Sequence, residues 1–244
     1  MDRLTGVAEL LDGPLDDEAA LVGNLRDLAR INRLTGGTSL SRLAIAELAA
    51  RRHPEPNPAG RVDLSLVDVG TGGADIPLDL LIRPAAGRAT PAVRSIVACD
   101  SRAEVLSAAL VANPALHAVA GLTLTVADGR ALPWRDASFD IAHASLVIHH
   151  LDPTDAVAFL RELRRVARRG IVVNDLVRAR RAWLGAWLLV HAIARSRYTR
   201  HDAPLSVRRA YTRNELIGLL AAAGLTPVAF VDGFAGHRVA IAAR

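Results

Sequence analysis

The residues best placed to do chemistry lie in two short runs, Asp68-Val69-Gly70-Thr71-Gly72-Gly73-Ala74-Asp75 and Ser145-Leu146-Val147-Ile148-His149-His150. In the first, glycines between two acids make a turn that a ligand can approach closely, because glycine tolerates positive φ and has no Cβ in the way. A dinucleotide site reads G-x-G-x-x-G, with a pyrophosphate over the helix N-terminus. Here the sixth place is Asp75, and two anions would collide. Asp68 and Asp75 instead frame the glycines with negative charge, which suits a ligand with a cationic head. In the second run, an imidazole with a pKa of about 6.5 can take the proton of a hydroxyl acceptor. His149 is the preferred base and His150 the second; His201 and Asp175 stand in reserve.

Those residues need strands to carry them. Leu66 and Val67 belong to a short apolar strand that ends in the acid Asp68 before the glycine turn; Ser95 to Asp100 is a buried-strand pattern closing on an acid. Leu122 to Val126 alternates apolar residues with threonine and runs into Asp128-Gly129. Ser138 to Ser145 and Ile171 to Asp175 are the fourth and fifth strands. The D-x-G-x-G run of Asp68, Gly70 and Gly72, followed in order by these motifs, resembles the class I S-adenosylmethionine-dependent methyltransferases. Phe139-Asp140 matches the family's entry to strand four, and Ala74 departs from it where many members have a third glycine.

The resemblance implies an α/β fold with a doubly wound, mostly parallel seven-strand sheet and a C-terminal antiparallel hairpin. It implies S-adenosylmethionine as cofactor, whose ammonium and sulfonium fit the acid frame. It assigns Asp68, Gly70, Thr71, Gly72, Asp75, Asp100, Ser101, Asp128, Gly129 and Ser145 to that cofactor, Asp100 at the ribose and Asp128 at the adenine. Asp100 comes about 30 residues after Gly70, beyond the usual ~20. The Arg83 to Arg94 stretch, with two prolines and a glycine, reads as the surface loop that lengthens it.

The 244 residues, 51% of them apolar, fit one domain with ample core. They divide into an N-terminal helical cap and linker over 1–60 and a methyltransferase domain over 61–244. The cap reads as two helices split by Thr35 to Ser39, with Pro54 to Gly60 as linker. Pro227 to Asp232 and His237 to Ala243 form the closing hairpin. The single cysteine, Cys99, sits inside a core strand and rules out a disulfide framework. No His, Asp or Glu cluster has metal-ligand spacing, so no metal is expected. The first residues lack the pattern of a secretory signal, and a cytoplasmic location is expected.

All 30 basic residues are arginine, and their placement is uneven. Residues 1–156 hold 14 Arg against 20 acids, whereas 157–213 hold 14 against 3. Arginines 161, 164, 165, 168 and 169 recur at helical spacing opposite Phe159, Leu160, Leu163 and Val166, which reads as the solvated stripe of an amphipathic helix. Ser145-Leu146-Val147-Ile148 stands where base-modifying relatives carry an N/D-P-P-Y motif, so no nucleic-acid partner is expected.

Residues 176–212 read as a helical insertion after strand five. Ala182 to Ala194 is apolar but short of the ~20 residues that span a bilayer. It is read as a core helix, a lid over a lipophilic acceptor, or an interfacial helix touching membrane through 176–200. Trp183, Trp187 and His191, four apart, form one face that would stack on an aromatic acceptor, with His201 beyond it. Together these features point to methyl transfer onto a small apolar or aromatic metabolite. Oxygen of a quinone- or polyketide-type compound is the first choice of acceptor, and an electron-rich ring carbon the second. A nicotinamide-dependent reductase and an inactive cofactor-binding partner are the readings from other classes, and a homodimer is compatible with all of them.

Overall fold

In the computed structural model, which describes residues 1–51, 63–83 and 92–244, seven strands form one sheet in the order β3-β2-β1-β4-β5-β7-β6. The strands are β1 (Asp63–Val69), β2 (Ala92–Asp100), β3 (Leu122–Val126), β4 (Phe139–Ser145), β5 (Ala167–Leu176), β6 (Pro227–Asp232) and β7 (Arg238–Ala243). The β1–β2, β1–β4, β2–β3 and β4–β5 pairs are parallel; β7 runs antiparallel between β5 and β6. The order reverses between β1 and β4, and the loops after these strands open a crevice there, the usual ligand position in such sheets.

Helices α3 (Asp75–Ile82), α4 (Ala103–Ala112), α5 (Pro153–Val166) and α8 (Arg213–Ala222) flank the sheet, and α2 (Gly37–Ala50) packs on β5 to β7. On one face, Val67, Phe139, Phe159, Leu160, Leu163 and Leu220 are buried together; on the other, Leu48, Leu64, Leu66, Ile96 and Ile141 are. Burial of each such side chain contributes roughly 1.5–3 kcal/mol. The central strands are apolar on both sides because both sheet faces are covered. The N-terminal cap is α1 (Glu18–Thr35) followed by α2, parted at Gly36, whose φ of 78° is the left-handed turn a glycine permits. The insertion is α6 (Arg180–Ile193) and α7 (Arg197–Arg209).

The arginine stripe is corrected in one respect. α5 ends at Val166, so Arg168 and Arg169 belong to β5, where Arg169 Nε donates to Asp140 at 2.8 Å. Arg165 reaches Glu162, Asp136 and the carbonyls of Leu132 and Trp134, so this basicity is largely engaged within the fold. The Pro54 to Gly60 linker and most of the Arg83 to Arg94 loop lie outside the described residues.

Candidate active site

A cavity of about 760 Å³ opens at the reversal point, bounded by the glycine turn, the loop after β4, α1, α6 and the turn between β6 and β7. That is within the ~300–1,000 Å³ of small-molecule sites. Asp68, Gly70, Thr71, Gly72, Asp75, Asp100, Ser101, Ser145, His149 and His150 all line it, together with Leu25, Ile31, Leu146, Val147, Leu189 and Val190.

The glycine turn is built as a cradle. The amides of Gly70 and Thr71 both donate to the Cys99 carbonyl at 2.9 Å, which folds the turn across the end of β2. Gly70 and Gly72 have φ of 73° and 52°. A Cβ on Gly70 would come within 2.5 Å of Val147 Cγ2, so that glycine lets the β4 loop close down on the turn. Ala74 also has φ 52°, a conformation that costs a residue with a Cβ about 1–2 kcal/mol. Its departure from glycine is therefore more than an added methyl group. Thr71 Oγ1 is buried and has no hydrogen-bond partner among the described residues. Asp100 accepts from the amides of Gly72 (3.1 Å) and Arg102 (3.2 Å), and burial raises its pKa. An open glycine cradle, an unpaired hydroxyl and a carboxylate at the end of β2 fit a nucleoside with a cationic tail.

The two framing acids rest on a buried polar chain that crosses under the turn. Asp68 accepts from His143 Nδ1 at 2.5 Å, which leaves His143 Nε2 to accept from Ser41 Oγ at 2.8 Å. Ser41 in turn accepts from Asn174 Nδ2 at 2.7 Å. Arg238, 2% exposed, donates to Asn174 Oδ1 (2.6 Å), Asn32 Oδ1 (2.7 Å) and Ser145 Oγ (2.6 Å). Asn32 Nδ2 donates to Asp75 at 3.0 Å. Burial lowers the Arg238 pKa to about 10 and raises that of Asp75. The frame read from the sequence is thus tied down within the fold: Asp68 is bonded to an imidazole, and Asp75 lies beside an amide and near a buried guanidinium.

The histidines occupy a second centre. His149 is buried, with Nδ1 2.7 Å from Asp175 Oδ1, and its amide donates to Asp175 Oδ2 at 3.2 Å. A carboxylate on Nδ1 fixes the proton there and leaves the Nε2 lone pair free. Burial pushes the Asp175 pKa up, but His149, the Leu176 amide and Arg238 together outweigh it and the net shift is downward. His150 Nδ1 pairs with Asp12 at 2.9 Å. The two rings stack at 4.3 Å between centroids, and Glu9 lies beside both, with Oε1 3.9 Å from His149 Nε2 and Oε2 3.8 Å from His150 Nε2. Burial lifts Glu9 to a pKa of about 7. These three side chains could hold a cation, a cluster the sequence spacing did not predict. Arg209, 3.4 Å from Glu9 Oε1, already supplies positive charge there.

Other expectations are corrected. Trp183, Trp187 and His191 do share one face of α6, but it points away from the cavity, which is lined by Ala182, Gly185, Ala186, Leu189 and Val190. A bulky face does not fit over the opening, whereas the small one does. His201 is exposed and pairs with Asp202, and so stays outside the lining. Asp128 is half exposed and held by Arg130, and Gly129 is required where a Cβ would meet Phe159 at 2.6 Å. Neither lines the cavity. Glu9 and Arg238 line the cavity although nothing in the sequence led to an expectation of either there. Asn32 and Arg238 meet across 206 positions and Glu9 and His149 across 140, with no local spacing to mark them.

Residues 67–173 match the methyltransferase-domain family. The chain is 33% identical over 114 residues to the ubiquinone/menaquinone biosynthesis C-methyltransferase UbiE of Geobacter sp. (strain M21); the match covers 47% of this chain and 43% of that protein. The chain thus matches less than half the length of this curated relative. Among solved structures it resembles a SAM-dependent methyltransferase from Aquifex aeolicus, with 18% identity over 88% of this chain and 96% of that one and a TM-score of 0.52. It also resembles the CurJ carbon methyltransferase, with 14% identity over 91% and 58% and a TM-score of 0.59. Residues 67–173 thus match a methyltransferase domain, and the fold around them is similar to that of solved S-adenosylmethionine-dependent methyltransferases.

Proposed function

We propose that this protein methylates a hydroxyl oxygen of a small apolar or aromatic metabolite of the quinone or polyketide type. The observation that carries the reading is the placement of His149, its Nδ1 fixed by Asp175 and its ring bordering the same apolar cavity as the glycine turn. S-adenosylmethionine bound on that turn supplies a methyl carbon made electrophilic by the sulfonium. Asp68 and Asp75 meet its cationic end, and Asp100 with Ser101 its ribose. Leu25, Ile31, Leu146, Val147 and Leu189 exclude water from the acceptor and hold it in line, which supplies much of the rate in a displacement of this kind. His149 Nε2 takes the hydroxyl proton as the oxygen attacks, and Asp175 stabilises the resulting imidazolium.

The partial match to UbiE favours a second reading, methylation of ring carbon. A phenolate carries negative charge on its ortho and para carbons, so the same base serves either outcome and the acceptor's orientation selects between them. Incubating the protein with S-adenosylmethionine and a panel of phenols and hydroquinones, with products assigned by NMR, decides the atom. His149→Asn is expected to lower turnover by at least ~100-fold, within the span of general-base effects, and to leave the calorimetric affinity for S-adenosylmethionine unchanged. Undiminished turnover removes the base from this reading.

A further inference from the structure

α6 is apolar on both sides. Ala182, Gly185, Ala186, Leu189 and Val190 face the cavity, while Trp183, Leu184, Trp187 and Leu188 on the opposite side are 36%, 50%, 42% and 55% exposed. A surface helix ordinarily turns charge outward, so an outward face of two indoles and two leucines is an uncovered one. The apolar surface continues at the cavity rim. Phe234, in the turn between β6 and β7, lines the cavity and is 88% exposed; Leu34, at the end of α1, lines it and is 63% exposed. The turn reaches α6, since a Cβ on Gly236 would lie 3.5 Å from Arg181 Nη2.

Charge says what covers this face. Arg180 and Arg181 stand at the start of α6 and Arg195 just beyond its end, all exposed, and none of their guanidinium groups pairs with a carboxylate among the described residues. No acid occurs from Leu176 to His201. Indoles and leucines between cationic ends are what a helix needs to lie in the headgroup layer of an anionic bilayer. At 14 residues, about 21 Å, the helix is too short to cross the ~30 Å hydrocarbon core, and no described helix is long and apolar enough to do so.

We infer that the Trp183–Leu188 face of α6, with Phe234 beside it, docks the protein on an anionic membrane surface and opens the cavity towards the lipid, where an apolar acceptor partitions. The docking stands on exposure and charge alone; only the entry of the acceptor rests on the proposed substrate class.

The test uses the full chain and sedimented vesicles of phosphatidylcholine with and without ~30% phosphatidylglycerol. Binding is expected to the anionic vesicles, with a blue shift of tryptophan emission, quenching by brominated lipid, and loss in high salt as the charges are screened. Trp183→Ser/Trp187→Ser is expected to weaken vesicle binding by at least ten-fold with S-adenosylmethionine affinity and Tm retained. Arg180→Ser/Arg181→Ser, which leaves both indoles in place, is expected to abolish the preference for anionic lipid. Absence of vesicle binding by the wild type, or equal binding by the tryptophan variant, overturns the proposal. So does a dimer, seen in sedimentation equilibrium without lipid, that Trp187→Glu dissociates, since a second copy would then own this face. Loss of turnover in the His149→Asn variant with vesicle binding intact separates the fate of the catalytic reading from this one.

Discussion

His149 shows how one residue acquires a role from contacts on both sides of its ring. Asp175 holds Nδ1, Glu9 stands off Nε2, and the ring lines the cavity. The dipeptide His149-His150 marks a position after strand four but does not say which imidazole is buried; packing answers that, with His149 enclosed and His150 held by Asp12 nearer the surface. Asp75 carries a prediction at the same scale. Burial raises its pKa, so the folded state binds a proton more readily than the unfolded chain does. The sign follows: the acid costs no stability below its unfolded pKa of about 3.9, and a cost accrues as pH rises through the folded value. Asp75→Asn keeps the Asn32 donor supplied with an acceptor and removes that cost. Thermal melts are expected to show the variant more stable than wild type at neutral pH and no more stable at about pH 3, below the unfolded pKa. A gain of equal size at both pH values would assign the effect to something other than ionisation.

At the scale of elements, the strands and the order of motifs were legible because apolar runs closing on an acid or a glycine turn are local patterns. Pro227 to Asp232 is the observed β6, and the helix break at Thr35 to Ser39 falls at Gly36. α6 was legible as a helix but not in its orientation, since it is apolar on both faces and the sequence does not mark which one meets the cavity. The large one was the natural choice for an acceptor, and the small one lines the cavity. β7 carries the residue that no pattern could have flagged. Arg238 sits in a strand otherwise made of Val, Ala and Ile, fully enclosed, and its partners come from α1, β4 and β5. Arg238→Met removes the cation and leaves Asn32, Asn174 and Ser145 unmet. A loss of about 3–5 kcal/mol in urea unfolding is expected, with weaker S-adenosylmethionine binding as Asp75 and Ser145 shift. Unchanged stability would show the chain of bonds to be dispensable.

Across the whole molecule, the N-terminal residues tie together parts far apart in sequence. Arg3 donates to the carbonyls of Arg209 and Leu151 and lies over the Tyr211 ring at 4.1 Å. Asp202 of α7 receives the amides of Leu10 and Leu11, and Arg102 donates to the carbonyls of Leu11 and Gly13. This strap seats Glu9 and Asp12 against the two histidines, yet adds little to the sheet's core. Deleting residues 1–16 leaves the α1 cap residue Asp17 in place. The shortened protein is expected to keep its circular dichroism and a cooperative melt while losing methyl transfer. An unfolded product would show that the strap is part of the core, and full turnover that it is irrelevant to the site.

The position of β7 in the sheet has a consequence for how the protein comes into being. It lies between β5 and β6, yet it follows both in the chain. While a ribosome is still adding it, β1, β2, β4 and the glycine turn can already exist, but the cation that steadies Asp75 and Asn174 does not. The nascent chain therefore lacks the bonds to Asn32, Asn174 and Ser145, and the buried polar chain closes only when Arg238 enters with β7.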